Sequence, residues 1–225
     1  MATHLRDNTI IRAGADICAA IAGALDSDLE AKHLAALWDS LTAKGDALVN
    51  ARSSAERTLG RARAKLAVMD ALWDPEIAAF GRDVVDQSGG KRDQAPYTRF
   101  FKNVTPSGAQ DFGVDREVQQ ANDWLAELAR DPNESLATKW IPRLKSVTDN
   151  LAEASINRRN ALQSLALQGT AEELFIADVN REIDILEGEL LKLFPGQPKR
   201  ISAYLEATRP STKRRNDNDS SGETG

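Results

Sequence analysis

A single cysteine, Cys18, stands in the whole chain, so no disulfide forms within it. That usage fits a reducing compartment, and a cytoplasmic location is the expectation. Aromatic residues make up only 5% of the 225 positions. A β-sandwich or barrel draws on many β-branched and aromatic residues and frequent turn signals, so the composition argues against both. Long apolar runs are missing as well. The most apolar window, 13–25, contains Asp16 and is too short to span a bilayer. Residues 1–9 are polar and lack a basic region followed by an apolar stretch, which predicts no secretory signal. An excess of basic charge is absent too. The net charge of −5 argues against a protein held to nucleic acid by its overall charge.

What is present is helical periodicity. Ile10, Gly14, Ile17, Ile21 and Ala24 form one stripe and predict a helix over 8–25, followed by a capping box at Ser27 and Glu30. Two seven-residue series then run together: Leu34, Leu41, Leu48, Ala55, Ala62, Met69, and Trp38, Gly45, Arg52, Leu59, Leu66, Trp73. They make a coiled-coil seam and predict a helix over 28–73. At about 1.5 Å per residue that rod is roughly 65–70 Å long, which predicts an elongated molecule. Gly45 and Gly60 are weak points in it.

Asp74-Pro75 predicts a break or a kink, with a shorter helix continuing to residue 86. Residues 87–96 lack periodicity and read as a mobile loop around Ser88-Gly89-Gly90-Lys91. The aromatics Tyr97, Phe100 and Phe101 predict a short element pinned to the bundle, and Ser107 with Gln110 suggests a further cap. Val114, Val118, Ala121, Leu125 and Leu128 mark a helix over 114–130. A helix over 133–168 carries Trp140, Leu144, Val147 and Leu151, with Pro142 in its early turns, and Gly169 reads as its stop. Thr170 and Glu173 then cap a helix over 171–194, and a short one follows over 198–207. Residues 208–225 read as a disordered tail, since 209–225 hold no large apolar side chain.

The expected architecture is an all-α, elongated bundle of long antiparallel helical hairpins with coiled-coil-like packing. It occupies residues 10–207 after a flexible N-terminus, 1–9. Its halves are 10–86 and 107–207, joined by 87–106.

Chemistry finds little footing in the pattern. A ferritin-like metal pair needs two Glu-x-x-His motifs, and only Glu30-Ala31-Lys32-His33 is present; His4 has no such partner. Zinc fails the same count. Cys18 on an apolar helix reads as inert filler. Ser88-Gly89-Gly90-Lys91 lacks the spacing of a phosphate-binding loop. No catalytic, cofactor or metal residues are assigned, and no enzyme activity is expected.

Cations offer the candidate contacts. Arg52 and Arg158 sit on apolar seams, where an arginine finds a carboxylate or bends outward. Arg57, Arg61 and Lys65 follow one helix face, with Arg63 nearby. These six are the candidate sites for an anion or an acidic partner. The expected function is a non-enzymatic scaffold or protein–protein interaction module that self-associates. A helical bundle that enters membranes through 13–25, as pore-forming toxins do, is the alternative. Nucleic-acid binding through the basic face and Lys213-Arg214-Arg215 ranks below it, because acids follow in the tail.

Overall fold

A computed structural model describes residues 4–6 and 9–208. Among the described residues there are seven α-helices, two short 3-10 turns and no strand, so the chain is all-α. The helices are α1 (Ile11–Asp26), α2 (Ala35–Gln87), α3 (Tyr97–Phe100), α4 (Pro106–Gln110), α5 (Val114–Leu128), α6 (Ser135–Leu193) and α7 (Pro198–Tyr204). The 3-10 turns cover Lys32–Leu34 and Glu206–Thr208.

Two predicted breaks are absent. α2 runs 53 residues straight through Pro75. An interior proline costs about 3 kcal/mol. Against that, Trp73, Ile77, Phe80 and Val84 continue one stripe across the site, and all four are fully buried. Pro75 itself lies on the exposed side, where its ring meets solvent. α6 runs 59 residues through both Pro142 and Gly169. A glycine costs only about 1 kcal/mol in a helix interior, less than one buried apolar side chain contributes. The Thr170–Glu173 box therefore has no helix start to cap.

The capping box at Ser27 is also replaced. Ser27 Oγ donates back to the Ala24 carbonyl at 2.6 Å. Asp28 takes over the turn, accepting from the Glu30 backbone N–H at 3.1 Å.

Contacts gather the chain into two units whose boundaries fall inside α2 and α6. Unit 1 joins the residues up to Arg52 with those from Gln168 onward; unit 2 is Ser53–Leu167. The division thus differs from the expected halves on either side of 87–106.

In unit 1, α1 packs between the first turns of α2 and the last turns of α6. Cys18, Ile21 and Leu25 of α1 meet Trp38, Phe175, Val179 and Ile183 in one apolar cluster. Gly45 is a contact rather than a weak point. A Cβ there would stand 2.7 Å from Ala15 Cβ and 3.2 Å from Ala15 Cα, so only glycine admits α1 this close. Asp28 closes the unit from below: Arg200 and Tyr204 of the C-terminal turns both donate to its carboxylate. Those hydrogen bonds, Tyr204 first, hold its pKa down at about 2. Leu5 is buried, and its backbone N–H and C=O both bond the Asn180 side chain. Thr208 is buried as well, and the tail over 209–225 lies outside the described residues.

Unit 2 is organised around Phe80. Its ring meets Phe100, Phe101, Trp124 and Trp140, with centroids 5.4–5.8 Å apart. The short element expected at Tyr97, Phe100 and Phe101 is α3, and those rings pin it onto this cluster. Ser88 is buried and accepts the Tyr97 backbone N–H at 3.0 Å. Arg99 binds Glu127 of α5 at 2.7 Å and Glu134 at 2.9 Å. Thr105, not Ser107, caps α4 by accepting from the Gly108 N–H at 3.0 Å.

Within each unit the two long helices run antiparallel. In unit 1, Lys44 pairs with Asp178 and Arg52 with Glu172. In unit 2, Lys65 pairs with Glu153, Glu76 with Arg143 and Asp83 with Lys139. Numbers rise along α2 as they fall along α6.

Candidate functional site

Toward the Ser53 and Leu167 ends of unit 2, the pairing of α2 with α6 is held by three alanines and one leucine. Ala55, Leu59, Ala154 and Ala161 are buried there, yet belong to neither apolar cluster. A two-helix seam needs only one stripe of each helix. The remaining stripes face outward, and they are not uniformly polar. Ile156, Leu162 and Leu167 of α6 are exposed, as are Val68 and Leu72 of α2.

The same stretch carries the basic residues picked out in the sequence. Residues 53–66 and 153–167 hold six cationic side chains (Arg57, Arg61, Arg63, Lys65, Arg158, Arg159) and two anionic ones, Glu56 and Glu153. This local excess sits in a chain of net charge −5. Lys65 is neutralised by Glu153 at 2.8 Å, and Arg159 by Asp115 of α5 at 3.2 Å. Arg57, Arg61, Arg63 and Arg158 are exposed and make no ion pair among the described residues. Four-residue spacing sets Arg57, Arg61 and Lys65 on one stripe of α2, and the helical period carries that stripe on to Val68 and Leu72.

Five of the six predicted contacts lie in this stretch of unit 2, and one lies in unit 1. Arg52 lies in unit 1, half-buried, with its guanidinium on Glu172 at 2.6 Å. It is a polar pairing within the seam. Arg158 instead turns outward, although it occupies a seam position.

Other sequence candidates resolve into structural roles. Cys18 is fully buried, and burial pushes its thiol up to about 11, so it holds its proton and does not react at neutral pH. His33 is exposed in the 3-10 turn, and His4 meets Asp184 at 2.6 Å. Among the described residues no group of histidine, cysteine or carboxylate side chains is placed to hold a metal ion. No helix there is long and apolar enough to cross a membrane. The window 13–25, the segment on which the membrane alternative rests, packs its apolar face in the core of unit 1.

One polar group in unit 2 escaped the sequence reading. Glu117 of α5 is 2% exposed and has one carboxyl oxygen, Oε2, without a hydrogen-bond partner. Its neighbours are acids: Asp70 of α2 stands close enough to share a proton with it, and Asp74 lies close enough to act on it. Burial first, then these charges, raises its pKa to about 7. The signal was present as a carboxylate in the 4–3–4 stripe Glu117, Ala121, Trp124, Leu128, all of them buried.

No family, no curated protein and no solved structure matches the chain.

Proposed function

We propose that the chain is a non-enzymatic helical interaction module that self-associates through the two-helix stretch of unit 2. The observation that carries this reading is the pairing of a thin seam with exposed Val68, Leu72, Ile156, Leu162 and Leu167 on its outer faces. Fully burying one such side chain contributes about 1.5–3 kcal/mol. Two half-exposed ribbons laid together therefore gain what neither gains alone.

Charge decides the register. Two copies of the basic stretch face to face oppose each other. Residues 168–193 of α6 offer the complement, with seven acids against two bases and exposed Leu174, Ile185 and Leu191. The basic stretch of one copy lies along this acidic stretch of a second.

Light scattering across a concentration series tests the reading. The wild-type mass rises above 24.5 kDa with concentration and falls back as salt is added. Arg57→Glu with Arg61→Glu abolishes the rise; adding Glu173→Lys and Asp184→Lys to the same chain restores it. A wild type that stays monomeric at every concentration overturns self-association. Association that ignores both charge reversals overturns the register alone.

A further inference from the structure

We propose that Glu117 and Asp70 form a proton-dependent clasp: one shared proton holds the first turns of α5 on α2, and its loss to solvent releases them. Two carboxyl groups bond each other only when a proton lies between them. Glu117 has nowhere else to place a charge. Its Oε2 is buried and unpartnered, and the side chain is 98% out of solvent contact by its 2% exposure.

Among the described residues, the charged groups that act on Glu117 are acids, and none is a cation that could replace the proton. From α2 the groups acting on Glu117 are Asp70 and Asp74, both acidic. From the turn before α5, Asp111 acts on Asp74, adding more negative charge. On α5 itself Arg116 lies over the Phe112 ring at 3.7 Å. On α6 Arg159 is committed to Asp115 at 3.2 Å. Trp73 Nε1 and Thr148 Oγ1 of this unit are also buried without hydrogen-bond partners. Trp73 shares α2 with Asp70 and Asp74, so the layer next to the clasp holds little polar compensation for a second charge.

The direction follows from the shift. A carboxyl raised from 4.5 to about 7 keeps α5 closed most firmly below pH 4.5 and loses that contribution as pH climbs to about 7. The lowest-cost response is local: α5 begins at Val114 after Gly113, and Asp115 is its exposed tie to Ser155 and Arg159 of α6. Opening those first turns lets water reach Glu117 without unfolding the Phe80 cluster.

Hydrogen exchange of the 114–121 amides in the dilute full-length protein tests the clasp, independently of any association. After correction for intrinsic rates, wild-type protection there falls about tenfold per pH unit between pH 5 and 7 and then levels off. Glu117→Gln flattens that slope, since the amide keeps the shape and never ionises. Asp70→Asn keeps a hydrogen-bonding partner, removes its charge, and moves the levelling-off to lower pH. A flat wild-type profile, or the same slope and end point in both variants, overturns the clasp.

Discussion

Phe80→Ala lowers the unfolding free energy of unit 2 by about 3–5 kcal/mol, the range for emptying a large aromatic site in a closed core. The upper part of that range is expected. Phe80 is fully buried and its ring touches four other aromatic rings. Those rings come from α3, the turn after it, α5 and α6, so the cavity lies where four segments meet. Trp124 is tied to the Phe100 carbonyl at 2.9 Å and Trp140 to Asp83 at 2.8 Å, which limits collapse into the hole. Urea titration followed by tryptophan fluorescence checks this, since three of the four tryptophans belong to unit 2. A loss below about 1 kcal/mol would show that the cluster is not packed as described.

The second large effect is a fall in stability as pH rises from 4.5 to about 7, set by Glu117. Its folded pKa of about 7 exceeds the ordinary 4.5, so the unfolded chain gives up the proton first. Stability therefore drops between pH 4.5 and 7 by on the order of 3 kcal/mol and is constant above that as far as this group is concerned. Glu117→Gln removes the drop and is more stable than wild type at pH 8, with little difference at pH 4.5. Asp28 in unit 1 works in the opposite sense. Held at about 2, below its ordinary 3.8, it supports the fold above pH 3.8 and stops doing so as pH falls toward 2. Urea titrations at pH 3, 5 and 8 separate the two. Equal stability of wild type and Glu117→Gln at pH 8 would contradict the account of Glu117.

How much of this was readable in the residues depends on which forces compete. The helical class was legible because Trp38, Leu59 and Trp73 recur at multiples of seven, and all three are buried. The helix ends were not. Pro75 and Gly169 are local signals of a few kcal/mol at most, and the apolar stripes running across them outweigh them. Arg52 was legible as a seam arginine that finds a carboxylate, but the carboxylate, Glu172, lies 120 positions away and no local pattern names it. Glu117 was missed for a related reason. The stripes 114–118–121–125–128 and 117–121–124–128 share Ala121 and Leu128, and periodicity alone does not choose between them. The bond from Trp124 to the Phe100 carbonyl fixes the rotation of α5, and that turns Glu117 inward. Arg57, Arg61, Arg63 and Lys65 were legible as one basic run and Arg158 only as a second seam arginine, while the exposed leucines and isoleucine beside them depend on how few elements cover α6 there.

Spin labels placed on two separate preparations give the most direct check on self-association. One carries Ile156→Cys and the other Ile185→Cys, both at exposed positions. Cys18 stays unlabelled, because it is fully buried and its thiol is pushed up to about 11. Mixed at a concentration where the protein is associated, the two labels produce a dipolar modulation between copies that disappears in high salt. Fully labelled protein that shows no modulation between copies at any concentration would contradict the account.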